Sequence, residues 1–241
     1  MIMSNQPAVF VLVHGAWHGG WCWHHVARQL RAQGHAVYTP TQTGLGARHH
    51  LLSDAITLDT FIDDIGNLLL WEDLHDVMLV GHSFGGLSIS GVADRMPERI
   101  RHLVWLDAFI LQHNQSTMST LPDKVVNKLR SLAQASESGV GLPAPSAAAL
   151  GVTDPDQASW VEQLCTPHPI STYENTLQLQ HPVGNGLPST YIAVTPEYMP
   201  TSSSRDFART QPNWRYLTLQ AGHDAMVTAP NDVSRLLLDL V

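Results

Sequence analysis

Ser83 stands in Gly81-His82-Ser83-Phe84-Gly85, a G-x-S-x-G pentapeptide. A serine hydroxyl is a weak nucleophile at neutral pH, so the pattern needs a setting that activates it. An apolar run, Val77-Met78-Leu79-Val80, precedes it, and Gly86 to Ala93 can form a helix. A strand that turns sharply into a helix strains the backbone at the serine and lifts its hydroxyl clear of the sheet edge. Gly81 and Gly85 let strand and helix approach closely there. The N–H groups that open the helix then face a developing anion.

The hydroxyl also needs a base, and the base an orienting acid. In this arrangement the acid and then the base follow the serine in the chain, with the histidine in a loop after the last strand. His223, in Ala221-Gly222-His223-Asp224-Ala225-Met226, has that place. His168 and His181 follow no strand in this reading. Two carboxylates compete for the acid. Asp107 directly follows His102-Leu103-Val104-Trp105-Leu106, and Glu197 lies a few residues beyond Tyr191 to Val194. Asp107 is favoured because a strand end holds an acid rigidly. Asp206 reads as a surface helix residue. A tetrahedral intermediate needs two N–H donors for its oxyanion. The expected donors are the backbone N–H groups of Phe84 and of Ala16, in the loop His14-Gly15-Ala16-Trp17.

The elements that must position these groups alternate. Ala8 to Val13 is a continuous apolar run, as in a strand buried on both faces. Trp21 to Ala32 reads as an amphipathic helix ended by Gly34, and Ala36 to Tyr38 as a short strand. Leu58 to Trp71 carries apolar residues at helical spacing. Asp76 to Val80, Ile100 to Leu106, Tyr191 to Val194 and Trp214 to Leu219 read as strands, and Val233 to Leu240 as a closing helix. The alternation implies an α/β fold with a mainly parallel, doubly wound sheet. Gln112 to Pro188 breaks the rhythm, with helical pieces and no clear strand. Within it Ala133 to Val152, rich in Ala, Ser, Gly and Pro, reads as a flexible loop or hinge. We expect a core of residues 1–111 and 189–241, with residues 112–188 inserted as a cap over the carboxyl ends of the strands, where α/β proteins bind ligands.

Composition narrows the classes. The chain has 241 residues, 44% hydrophobic, and a net charge of −8 with no long basic run, which argues against nucleic-acid binding. No apolar stretch reaches the roughly 18 residues of a membrane helix, and the first residues hold no signal-like segment. A cytoplasmic location is expected. Cys22 and Cys165 make no C-x-x-C and are expected to be reduced thiols. His18, His24 and His25 near Cys22 lack metal-site spacing, and no phosphate-binding glycine motif occurs, so neither metal nor cofactor is expected. Trp17, Trp21 and Trp23 suit core and pocket wall.

On Val11-Leu12-Val13-His14-Gly15-Ala16-Trp17-His18-Gly19-Gly20-Trp21, the elbow at Gly81 to Gly86, and Gly222-His223, the chain resembles the α/β-hydrolase superfamily. It looks most like the small-cap branch that holds plant salicylate methyl esterases, hydroxynitrile lyases, methylketone synthases and bacterial pyrethroid hydrolases. The resemblance implies the α/β-hydrolase fold and a homodimer. Branch members usually carry their acid after the strand matching Tyr191 to Val194, where this chain offers only Glu197. Other members of the superfamily place it where Asp107 stands. The lyases carry Thr where Gly15 stands and Lys after the histidine, where this chain has Asp224. The expected function is therefore a serine esterase for a small to medium apolar carboxylic ester. The alternatives are thioester or β-keto ester hydrolysis, carbon–carbon or carbon–nitrogen lyase chemistry, and non-catalytic ligand binding.

Overall fold

Alternate residues of the first strand bury on opposite sides. Val11 and Val13 join one apolar cluster, while Phe10 and Leu12 join another. That is what a continuous apolar run does in a strand covered on both faces. A computed structural model of the chain describes residues 7–241.

In chain order the strands are β1 (Val9–Val13), β2 (Ala36–Tyr38), β3 (Val77–His82), β4 (Ile100–Leu106), β5 (Gly141–Leu142), β6 (His168–Pro169), β7 (Ser189–Thr195) and β8 (Trp214–Gln220). The helices are α1 (His24–Ala32), α2 (Leu58–Trp71), α3 (Gly85–Arg95), α4 (Asp123–Gln134), α5 (Pro155–Leu164), α6 (Ser171–Glu174), α7 (Ser202–Thr210), α8 (Ala225–Thr228) and α9 (Pro230–Leu238). Six strands form one sheet in the order β2-β1-β3-β4-β7-β8, every neighbouring pair parallel. Side chains of α1, α8 and α9 pack in the cluster on one face. Those of α2 and α3 pack in the cluster on the other. The sheet is therefore doubly wound.

α2 covers the run that its apolar spacing marked. Thr57 caps its start, its hydroxyl accepting from the N–H of Thr60 while the Thr60 hydroxyl accepts from the N–H of Thr57. Three expectations need correction. The stretch expected to be helical from Trp21 opens as a 3-10 turn over Gly20–Trp23 before α1. Gln112 to Pro188 does contain strands: β5 and β6 pair antiparallel, too short to show a sequence period. Residues 133–152, expected to be a flexible loop or hinge, are pinned at intervals, with Ala133, Leu142, Ala147, Leu150 and Val152 buried while much of the stretch between them is exposed. Their small side chains serve close approach. A Cβ on Gly151 would stand 2.6 Å from the Cα of Gly222.

Residues 112–188 add no strand to the six-stranded sheet. They bond instead to the loops at its carboxyl edge. The N–H of Thr166 donates to the Trp17 carbonyl at 2.9 Å, and that of Asp224 to the Leu150 carbonyl at 3.1 Å. The Trp17 indole donates to the Leu142 carbonyl at 3.0 Å. Among the described residues no helix is long and apolar enough to cross a membrane.

Candidate active site

β3 ends at His82, and α3 begins only two residues beyond Ser83. So abrupt a turn puts Ser83 at φ +51°, in the left-handed region that a side-chain-bearing residue rarely adopts. Glycine makes the turn feasible. A Cβ on Gly85 would lie 2.6 Å from the His14 carbonyl oxygen, and one on Gly86 2.3 Å from that of Phe109. The Ser83 carbonyl accepts from the N–H groups of Gly86 at 3.0 Å and Phe109 at 2.9 Å, which lock the turn.

Parallel neighbours deliver the other groups to the same edge. Asp107 follows β4, the neighbour of β3, and is itself in the left-handed region at φ +43°. His223 lies between β8 and α8. The structure brings the three together. The Ser83 hydroxyl lies 2.9 Å from His223 Nε2, and His223 Nδ1 lies 2.7 Å from Asp107 Oδ2. An ionised carboxylate only accepts, so Nδ1 carries the proton and Nε2 is left to accept from the serine. All three residues are buried. Glu197 is not brought in. It is exposed and makes no side-chain hydrogen bond among the described residues. It lies in the exposed stretch Thr195 to Glu197 that ends and follows the otherwise buried β7.

Ala16 and Phe84 are both buried, and neither backbone N–H donates to an acceptor among the described residues. The loop carrying Ala16 presses on the serine, since a Cβ on Gly15 would stand 2.7 Å from the Ser83 Cβ. Two histidine rings hold its peptides. The N–H of Gln42 donates to His14 Nε2 at 3.0 Å, which makes His14 Nδ1 the donor to the Gly15 carbonyl at 2.8 Å. In a trans peptide the carbonyl and the next N–H point opposite ways. Fixing the Gly15 carbonyl therefore aims the N–H of Ala16. His18 Nδ1 donates to the Ala16 carbonyl at 2.7 Å.

Sequence reasoning missed four groups here. His18 Nε2 donates to Asp224 Oδ2 at 3.0 Å, so a buried ion pair ties the loop after β1 to the loop after β8. Burial opposes both charges, but the charge and hydrogen bond between the two outweigh it. His18 is raised well above its usual value and Asp224 is lowered. Tyr198 lays its ring on that of His223, with centroids 3.7 Å apart and planes 17° from parallel. Burial pushes its phenol up to about 12, so it is neutral. Arg205 donates from Nε at 3.1 Å and Nη2 at 2.6 Å to Asp107 Oδ1. Alternating apolar residues announce a strand, but nothing in Ser202-Ser203-Ser204-Arg205-Asp206 announces that the arginine is the inward member. Asp206, as expected, is a surface helix residue, its side chain 71% exposed.

His168, expected to follow no strand, is part of β6 itself. It is wholly buried, 4.9 Å from the Phe84 ring and 5.3 Å from that of Tyr173. The N–H of Trp17 points at its Nδ1 at 3.4 Å. Trp23 is fully buried, while Trp17 and Trp21 are half-buried. Among the described residues His82, His223 and Asp224 bring potential metal-ligating atoms within 4.8 Å of one another. Both nitrogens of His223 are engaged with Ser83 and Asp107, so a cation there would detach that ring from the serine.

The buried histidines set an acid sensitivity. Burial lowers His14 to about 3, and lowers His82 to about 3 with the neighbouring His223 adding to it. Burial likewise lowers His168 well below its usual value. In the unfolded chain all three bind a proton below about 6.5. For His14 and His82 the unfolded state thus binds more protons between about 3 and 6.5, and stability falls as pH falls through that window, by up to about 1.4 kcal/mol per pH unit for each; His168 adds to the loss below about 6.5. His18 works the other way. Its raised value gives stability fully present below about 6.5 and lost only as pH rises through its folded value. Asp224 contributes above its ordinary carboxylate value, and that contribution goes as pH falls through its lowered one. The urea midpoint is expected to be clearly lower at pH 5 than at pH 7.5. Equal midpoints would mean that these rings are not held neutral.

Comparison with known proteins agrees with this architecture. The sequence profile described as the Alpha/beta hydrolase family matches residues 10–236. A carbendazim hydrolyzing esterase of Nocardioides sp. (strain SG-4G) is 40% identical over 97% of this chain and 99% of its own length. Methylesterase 7 of Arabidopsis thaliana is 38% identical over 44% of this chain, an alignment that spans 42% of the plant protein. An extracellular alpha/beta-hydrolase from a Paenibacillus species superposes with a TM-score of 0.81 at 27% identity, covering 97% of this chain and 98% of the other. Tomato methylketone synthase I shares the fold, with a TM-score of 0.80 at 19% identity over 97% of each chain. The chain belongs to the Alpha/beta hydrolase family and stands among its carboxylic ester hydrolases.

Proposed function

We propose that the chain is a serine esterase that works through an acyl-enzyme on Ser83. The observation that carries this reading is the unbroken chain of short contacts from the Ser83 hydroxyl through His223 to Asp107. In the first half-reaction Ser83 Oγ attacks the ester carbonyl while His223 Nε2 takes its proton. Asp107 keeps the imidazole in the accepting tautomer and stabilises its charged form. The N–H groups of Ala16 and Phe84 receive the oxyanion, and the fixed peptides need no reorganisation to do so. His223 then protonates the leaving alcohol. In the second half, water attacks the acyl-enzyme with His223 again as base, and Ser83 is regenerated. No cofactor enters these steps, and every group comes from one chain.

Residues 112–188 serve in this reading as the cap over a core of residues 7–111 and 189–241. Their bonds to Trp17 and Asp224 hold the site loops from above. The ring of Tyr198 lies on that of His223, and Phe84, next in the chain to Ser83, packs its ring against those of His168 and Tyr173; this aromatic setting suits an apolar ester. Lyase chemistry of the kind that needs a cation beside the base is disfavoured. The residue after His223 is the anion Asp224, already paired with His18.

A substrate series tests the reading. p-Nitrophenyl acetate, butyrate and palmitate, methyl benzoate, carbendazim, and a thioester and a β-keto ester of matched size are compared by kcat/KM. The expected result is faster turnover of the short or aromatic esters than of the palmitate, with a burst of nitrophenol equal to the enzyme present. Faster cleavage of the thioester or β-keto ester than of every carboxylic ester would overturn the substrate assignment. Binding without turnover throughout would overturn the enzyme reading.

A further inference from the structure

Asp107 has two oxygens and two different tasks. Oδ2 accepts from His223 Nδ1 at 2.7 Å. Oδ1 accepts from Arg205 Nε at 3.1 Å, from Arg205 Nη2 at 2.6 Å and from the Thr201 hydroxyl at 3.2 Å. The side chains of Arg205 and Asp107 are 3% and 0% exposed. A carboxylate whose sole task was to orient an imidazole needs hydrogen bonds, and neutral donors would supply them. A buried cation does something more. It lies one carboxylate away from the ring that must become a cation during the reaction, where water screens it little.

We propose that Arg205 is a positioning residue that sets the basicity of His223, pinning the Asp107 carboxylate in line with Nδ1 while its charge opposes protonation of the imidazole. The inference rests on the reading of Ser83, His223 and Asp107 as a triad. Other groups face His223 as well. Ser83 and His82 come from the end of β3, the His82 ring 4.7 Å away and neutral, and Tyr198 stacks from the loop after β7. Asp224 adjoins it in sequence, with its charge answered by His18 from the loop after β1. Among the described residues Arg205 is thus the cation without a second anion of its own beside the triad. The charge on Asp107 is shared between it and the imidazole.

The arrangement has a chemical consequence. A base kept from premature protonation stays competent at lower pH, at some loss of driving force for proton removal from serine. Arg205→Gln keeps a donor toward Asp107 and removes the charge. Arg205→Lys keeps the charge.

The test is the pH dependence of kcat/KM for p-nitrophenyl acetate in the wild type and both variants, each checked for native circular dichroism. Arg205→Gln is expected to move the acid limb upward by about half a unit to one unit. Arg205→Lys should leave that limb within about 0.2 unit of the wild type, whatever it does to the plateau. An unmoved limb in Arg205→Gln, or equal movement in both variants, overturns the proposal, because loss of packing alone would not sort the variants by charge. If Arg205→Gln does not fold, the double variant Asp107→Asn/Arg205→Gln carries the test against Asp107→Asn alone. The double variant should be several-fold faster, since Asp107→Asn leaves the cation uncompensated beside the base. A double variant no faster than Asp107→Asn overturns it. If Asp107→Asn itself costs no activity, the triad reading fails first. If it does cost activity and the Arg205 variants behave alike, the present inference alone fails.

Discussion

Replacing Ser83 with alanine is expected to lower kcat/KM on a p-nitrophenyl ester by about 10⁶-fold, down to the residual rate that binding and the oxyanion donors alone support. The size of the effect follows from the division of labour. Without Oγ there is no covalent intermediate, and His223 has no proton to take, so acid and base lose their object together. The variant should still fold. Alanine pays the same strain at φ +51° that serine pays, and the glycines that admit the close turn are untouched. Among the described residues the only hydrogen bond of the hydroxyl is the one to His223. KM should change little, since the substitution removes only the hydroxyl and leaves the surrounding side chains in place. A loss of only tenfold, with native circular dichroism, would mean that water rather than Ser83 attacks the substrate.

The second large effect concerns the acid. Asp107→Asn is expected to cost about 10⁴-fold in kcat, the order seen when a triad aspartate becomes an amide. An amide can present its NH2 to His223 Nδ1. The ring then carries its proton on Nε2, facing the serine, and cannot accept. The same change leaves Arg205 buried without its carboxylate, and breaking a buried pair in this way costs about 3–5 kcal/mol. The kinetic reading therefore has to be made on protein shown to be folded. Glu197→Gln, on an exposed side chain with no hydrogen bond among the described residues, should stay within about twofold of the wild type. A larger loss for Glu197→Gln than for Asp107→Asn, measured side by side, would reassign the acid.

Much of this layout was legible in the residues. β1, β3 and β4 are continuous apolar runs because both sheet faces are covered, and α2 shows its buried face at regular spacing. The glycines and the serine of the elbow mark where strand must become helix within two residues. Ser83 could be singled out because it follows a strand directly, and His223 because it lies in the loop after the last strand. Asp107 needed a choice, since strand ends after both β4 and β7 carry acids within reach. The contacts that favour Asp107 come from elsewhere in the chain: Arg205 and Thr201 meet it from the stretch between β7 and β8. Contacts between residues about 94 to 206 positions apart, such as Asp107 with Thr201 or His18 with Asp224, leave no local period to read. The strands β5 and β6 are two residues each, too short for any pattern. Ala133 to Val152 looked loose because small residues and glycine serve equally in flexible loops and in tight contacts. Gly151 against Gly222 is the latter.

The central claim is that Ser83 becomes acylated. The most direct measurement is exposure of the protein to a fluorophosphonate, followed by intact mass and peptide mapping. One adduct per chain is predicted, on the peptide that carries Ser83, with labelling abolished in Ser83→Ala and greatly slowed in Asp107→Asn. An adduct on another residue, or none in a protein that turns over esters, would contradict the account.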